Sequence, residues 1–266
     1  MNHTVVGLAV ALACAPAVVT RTADSTPPVR SPQGAEWNWH GRVAAGKTLE
    51  IRGVNGNVTA EPSTGEAVVV TATKRAHGRG DPDDVKIQVV EHDGNVTICA
   101  VYPGASNRCA PGDDYSMNTR RNDVEVEFRA QVPAGVAFAG GTTNGDVDVN
   151  VTGPIDVETT NGDVRIETAS GGASAETTNG GVTAIVRGQG TTPLRFSTTN
   201  GGVTVSVPKD LNADVEAETT NGSIETDFPI SVTGRISRQH LSGRIGQGGR
   251  RLHLETTNGS IRLRAL

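Results

Sequence analysis

From Gly141 onward, apolar and polar residues alternate in short bursts, and each burst follows an Asn-Gly pair. Val147 and Val149, Val164 and Ile166, Val182 and Ala184, and Val203 and Val205 hold the same two places after the pair, with Asp, Arg or Thr between them. Alternation with a period of two sends one set of side chains to a core and the other to solvent, so each burst predicts a half-buried strand. Upstream, "KTLEIRGVNGNVTAEP" sets Leu49, Ile51, Val54 and Val58 around Asn55-Gly56. "AVVVTATKR", "VKIQVVE", "NVTICAVYP" and "DVEVEFRAQVP" read as further strands, with Gly and Pro in the gaps. The turn-rich stretch 110–123 reads as a surface loop. No capped apolar run has helical spacing, so the chain is predicted to be all-β.

The polar tetrapeptide Thr-Thr-Asn-Gly recurs more faithfully than the apolar residues. Its Asn-Gly pairs are Asn144-Gly145, Asn161-Gly162, Asn179-Gly180, Asn200-Gly201, Asn221-Gly222 and Asn258-Gly259. The first five are separated by about 20 residues each, a period that marks a solenoid. The longer gap before Asn258 splits if "LSGRIG" (Ser242-Gly243-Arg244-Ile245) is a degenerate copy. Thr152-Gly153, Asn212-Ala213 and Thr233-Gly234 suggest a second corner in each turn. The predicted fold is therefore a single-stranded β-solenoid (β-helix) with Asn-Gly corners stacked along its axis, Asn258 being the terminal copy.

Stacking explains the fidelity. Inner positions need only be apolar and of suitable size. A corner glycine supplies a backbone conformation that other residues resist. Corner carboxamides about 4.8 Å apart can each donate to one neighbour and accept from the other, which works only if every level carries Asn. Asn-Gly is also a strong hairpin signal. A meander, however, would alternate its turns between two ends and would not reward identical Thr-Thr pairs.

Composition narrows the picture. Of 266 residues 33 are Gly and only 3% are aromatic, so no core can be built around large rings. The net charge of -5 is too mild to imply or exclude a polyanionic partner. Residues 1–19 contain an apolar run with the features of an export signal, followed by a Pro/Ser/Thr-rich linker over 20–35. The solenoid is expected over 36–266, with irregular coils at 36–140 and regular repeats at 141–266. Export places the mature chain in the periplasm, at the cell surface or outside the cell, without a membrane span. Cys14 lies in a degraded lipoprotein signal, and lipid anchoring there is not expected. In an exported chain Cys99 and Cys109 are expected to form a disulfide. A metal pair would need further ligands nearby, and neither a C-x-x-C nor a His cluster accompanies them.

The "TTNGDVxVxT" repeat, "QVPAGVAF" and "VTICAVYP" resemble a bacterial family of unknown function that goes by the name "putative adhesin". The resemblance covers about residues 40–266. It implies a secreted or membrane-attached β-solenoid, and it brings no catalytic residues.

Candidate chemistry is sparse. Asp146, Asp148, Asp156, Glu158, Asp163, Glu167 and Glu176 form an outward acidic set. Such acids could serve a polysaccharide-acting lyase or hydrolase, but they also make an ordinary charged sheet face. The six histidines are scattered, and no nucleophile elbow or phosphate loop occurs, so no catalytic residue, cofactor or metal is expected. Trp37 and Trp39 could stack on sugars or cap an end of the solenoid. Arg235, Arg238, Arg244, Arg250, Arg251, Arg262 and Arg264 lie within a stretch holding one acid, Glu255. Set against the acids of the early coils, they predict a solenoid axis running from an acidic to a basic end, and they are a candidate basic contact surface for an anionic envelope polymer, a glycan or another envelope protein. The expected function is non-enzymatic binding or adhesion at the envelope. Alternatives are a polysaccharide-acting enzyme and an accessory protein in envelope-stress signalling. No nucleic-acid partner is expected.

Overall fold

The structure is a computed structural model that describes residues 35–78, 80–112, 117, 122–232 and 237–266. The expected signal and Cys14 lie outside these residues, as does the linker except Ala35, which begins the first strand. Arg235 and the Thr233-Gly234 corner also fall outside them.

In chain order the first strands are β1 (Ala35–Gly41), β2 (Thr48–Arg52), β3 (Val58–Pro62), β4 (Val68–Ala76), β5 (Lys86–His92), β6 (Asn95–Val101) and β7 (Val124–Val132). The regular coils follow as β8 (Ala137–Asn144), β9 (Val147–Val151), β10 (Ile155–Asn161), β11 (Val164–Thr168), β12 (Ala173–Asn179), β13 (Val182–Val186), β14 (Leu194–Asn200) and β15 (Val203–Val207). Then come β16 (Ala213–Asn221), β17 (Ile224–Thr226), β18 (Ser231–Val232), β19 (His240–Ile245), β20 (Arg250–Asn258) and β21 (Ile261–Ala265).

Each Asn-Gly pair carries the chain from one sheet to the other. Strands β8, β10, β12 and β14 pair in parallel in one sheet, and β9, β11, β13 and β15 do so in the second. Parallel pairing at every rung excludes the hairpin alternative. The alternating set Val147, Val149, Val164, Ile166, Val182, Ala184, Val203 and Val205 is buried between the sheets. Small aliphatic residues suffice because the core is thin and continuous along the axis. Each coil has two strands, and Thr152-Gly153 forms the second corner between β9 and β10.

The earlier strands join the same stack. β2 and β3 flank Asn55-Gly56 and pair in parallel with β8 and β9, and β6 and β7 stack beyond them. Antiparallel strands finish both ends. β5 lies on β6, while β4 and then β1 lie on β7. At the far end β19 and β18 lie on β16.

Two expectations fail here. The coil β20–β21 is last in sequence order but not in space. It lies between β14–β15 and β16–β17, in parallel with both. Asn258 is therefore an interior rung and Asn221 the outer one. "LSGRIG" is not a degenerate coil corner either. Its residues lie in β19, antiparallel to β16, and Ser242 sits opposite Glu216. The long gap between Asn221 and Asn258 holds an end cap rather than a missing coil.

Candidate functional site

The corner ladder accounts for the repeated tetrapeptide. Side-chain Nδ2 atoms donate to Oδ1 atoms along Asn221, Asn258, Asn200, Asn179, Asn161, Asn144 and Asn55, at 2.8–2.9 Å. The first Thr of each pair is buried, and from the second repeat onward it donates to the corner glycine carbonyl of the adjacent coil, as Thr177 does to Gly162 at 2.9 Å, while the Thr142 hydroxyl makes no such bond. Thr159, Thr198, Thr256 and Thr219 repeat that bond. The glycine is fixed by close approach. A Cβ on Gly162 would lie 2.0 Å from the Gly145 carbonyl oxygen, and one on Gly201 would lie 1.9 Å from that of Gly180. A further row follows the corner, where Asn57, Asp146 and Asp163 accept from the backbone N–H of Asp146, Asp163 and Gly181. Two of the acidic candidates thus serve the corner. The second Thr and the Asn are exposed, so the ladder forms a polar ridge on the surface.

Beside this ridge, the outer face of the larger sheet holds a shallow groove of about 400 Å³. Its floor is the β8 segment Ala139-Gly140-Gly141, which has no long side chains. Register explains its walls. Glu50, Ala139 and Asp156 are lateral neighbours, as are Arg52, Gly141 and Glu158. With no side chain on Gly141, Arg52 spans two rungs. It bonds Glu50 through Nε at 2.8 Å and Glu158 through Nη1. Glu50 is buried and also accepts from Thr97 Oγ1 at 2.8 Å and from the Gly112 N–H at 3.1 Å. Burial acts to lower the Arg52 pKa, but Glu50 and Glu158 outweigh it and the guanidinium is held above its ordinary value. Glu176 completes the acidic wall. Sequence reasoning missed Arg52 and Glu50, because their position depends on register across β2 and β8.

The Cys99–Cys109 disulfide borders this site. Cys99 lies on β6 opposite Arg52, and the bond ties the following loop down so that Gly112 reaches Glu50.

The arginines disperse. Arg250 is buried and donates to the carbonyls of Thr192 at 2.8 Å and Gly188 at 3.4 Å, and burial lowers its pKa. It cannot be part of a contact surface. Arg244 pairs with Asp214, Arg262 with Glu225, and Arg264 with Glu225 and Asp227. The run that looked free of counter-charge in sequence lies against the acids of β16–β17. An axis running from an acidic to a basic end is therefore not what the fold builds. Arg238 and Arg251 are exposed. The half-buried Trp37 and Trp39 on β1 pack against the core at the opposite end. Among the described residues no group of three or more His, Cys, Asp or Glu is placed to hold a metal, and no helix is long and apolar enough to cross a membrane.

Two facing, mostly parallel sheets with stacked polar corners define a β-solenoid. The chain belongs to the Toastrack DUF4097 family, whose profile matches residues 42–264. Among solved structures it is similar to a Clostridium sporogenes protein described as a "putative cell adhesion protein", at 14% identity and a TM-score of 0.50, covering 87% of this chain and all of that one. A Bacteroides fragilis protein described as a "putative adhesin" is matched at 12% identity over 87% of this chain and 98% of that one, with a TM-score of 0.30. No curated protein sequence matches it.

Proposed function

We propose that the protein is an exported, non-enzymatic binding protein of the cell envelope, and that it takes a polar extended ligand such as a glycan along the groove over β8. The observation that carries this reading is a floor with no side chain longer than the Ala139 methyl, formed by Ala139 and Gly140 and continued by Gly141, walled by Asp156, Glu158, Glu176 and Arg52. Carboxylates and a guanidinium beside an open floor suit the hydroxyls of a sugar chain. The description of the Clostridium sporogenes neighbour as a "putative cell adhesion protein" agrees with it. The same acids would be needed by a polysaccharide-acting enzyme. Against that use, Glu158 is already paired with Arg52, which Glu50 holds in place.

A glycan array and an envelope pulldown with the mature chain test the proposal. Ala139→Leu fills the floor without removing a charge, and it should abolish capture while leaving the melting temperature unchanged. Capture that survives Ala139→Leu but falls with salt and with Arg238→Ser/Arg251→Ser would place the contact on the arginines and on an anionic polymer instead. New reducing ends released from a bound polysaccharide would favour the enzyme.

A further inference from the structure

A sheet edge is a template for another strand unless something blunts it. Among the described residues, three of the four sheet edges here are blunted. β17 has three residues and β18 has two, too short to template much. β5 is overlaid by the disulfide loop, with Cys109 Sγ 3.8 Å from the Gln88 carbonyl oxygen. The fourth edge, β1, is different. It is seven residues long, pairs with β4 in unbroken register from Ala35 to Gly41, and contains no proline and no bulge. Its inward residues, Trp37 and Trp39, are only half-buried, and no charge points inward to repel a neighbour.

The sequence of β1 is also complementary to itself. An antiparallel pairing centred on Asn38 sets Asn38 against Asn38, Glu36 against His40, and Trp37 against Trp39. Every one of these contacts is favourable: carboxamide to carboxamide, carboxylate to imidazole, and indole to indole on the core side. A two-fold axis through Asn38 makes the Glu36–His40 and Trp37–Trp39 contacts twice and places the Asn38 pair on the axis, as an isologous interface requires.

We propose that β1 is the interaction surface for a second copy of this chain. The two solenoids join end to end through an antiparallel β1–β1 pair, which makes the ten-stranded sheet continuous across both molecules and covers the four tryptophans. The inference does not depend on what the groove over β8 binds.

The test uses the full-length chain. Sedimentation at tens of micromolar should show a dimer. Asn38→Cys places two thiols on the symmetry axis, within disulfide range, and mild oxidation should give a covalent dimer linked through position 38 of each copy, detectable by mass spectrometry. Glu36→Cys should not link to itself, because the two copies of residue 36 lie about 14 Å apart in this register. Glu36→Lys should weaken the dimer at least tenfold, and Glu36→Lys/His40→Glu should restore it. A monomeric native chain overturns the proposal, as does a dimer indifferent to Glu36→Lys or a link at position 36 in place of 38. A single variant that fails to fold leaves the sedimentation of the native chain to decide.

Discussion

Removing the carboxamide of Asn258 probes the strand order directly. Asn258 donates to Asn200 and accepts from Asn221, while Asn200 likewise bonds both Asn258 and Asn179. Asn221 is the outer rung and makes only its bond to Asn258 within the ladder. A hydrogen bond of this kind contributes about 0.5–1.5 kcal/mol net, and exposure keeps these toward the low end. Asn258→Ala and Asn200→Ala should therefore each cost about 1–2 kcal/mol, and Asn221→Ala about half of that. For a domain of this size 1 kcal/mol moves the melting temperature by about 2–4 °C. The interior substitutions should then lower it by about 2–8 °C and the outer one by about half as much. Differential scanning calorimetry on the three variants at one protein concentration makes the comparison. If Asn258→Ala costs as little as Asn221→Ala, or if all three are equal, the reasoning from the ladder is wrong.

Other expectations follow from single contacts. Gly162→Ala drives a Cβ into the Gly145 carbonyl oxygen and should cost at least about 3 kcal/mol. Gly46→Ala, at φ +80° in open space, should cost only about 1 kcal/mol by denaturant titration. Reducing the Cys99–Cys109 bond should lower stability by about 2–3 kcal/mol, and non-reduced peptide mass spectrometry should show the two cysteines linked. Burial pushes the Tyr102 phenol from 10.0 up to about 12, while its hydroxyl donates to the Val124 carbonyl at 2.8 Å. Because the folded value is the raised one, its contribution is complete below pH 10.0 and is lost as pH rises toward about 12. Tyr102→Phe should abolish that alkaline loss, and an unchanged profile would refute the assignment.

Much of the fold could be read from the chain because it is written locally. Val164 and Ile166 flank Arg165 as any half-buried strand requires, and the identity of Thr159, Asn161 and Gly162 follows from contacts made with the same tetrapeptide in adjacent coils. The order of the coils is not written there. Every coil offers the same Thr-Thr-Asn-Gly edge above and below, so the motif cannot say which rung sits on which. That is why Asn258 looked terminal. One signal was present: Arg262 and Arg264 are opposite in charge to Glu225 and Asp227 and share their spacing, which suits neighbouring strands. The groove was hidden for a related reason. Arg52 and Glu158 are far apart in sequence, and only the register that puts Gly141 between them lets the guanidinium reach across.

Disulfide trapping at the exposed threonines tests the inserted coil most directly. Thr199 and Thr257 precede the paired Asn200 and Asn258, and Thr220 precedes Asn221 on the next rung. Adjacent rungs put Cα atoms about 4.8 Å apart, inside the range a disulfide can bridge, whereas two rungs put them about 9.6 Å apart, beyond it. Thr199→Cys/Thr257→Cys and Thr257→Cys/Thr220→Cys should each cross-link on mild oxidation, while Thr199→Cys/Thr220→Cys should stay reduced. A cross-link between positions 199 and 220, with none between 199 and 257, would mean that the coils stack in sequence order and would contradict the account.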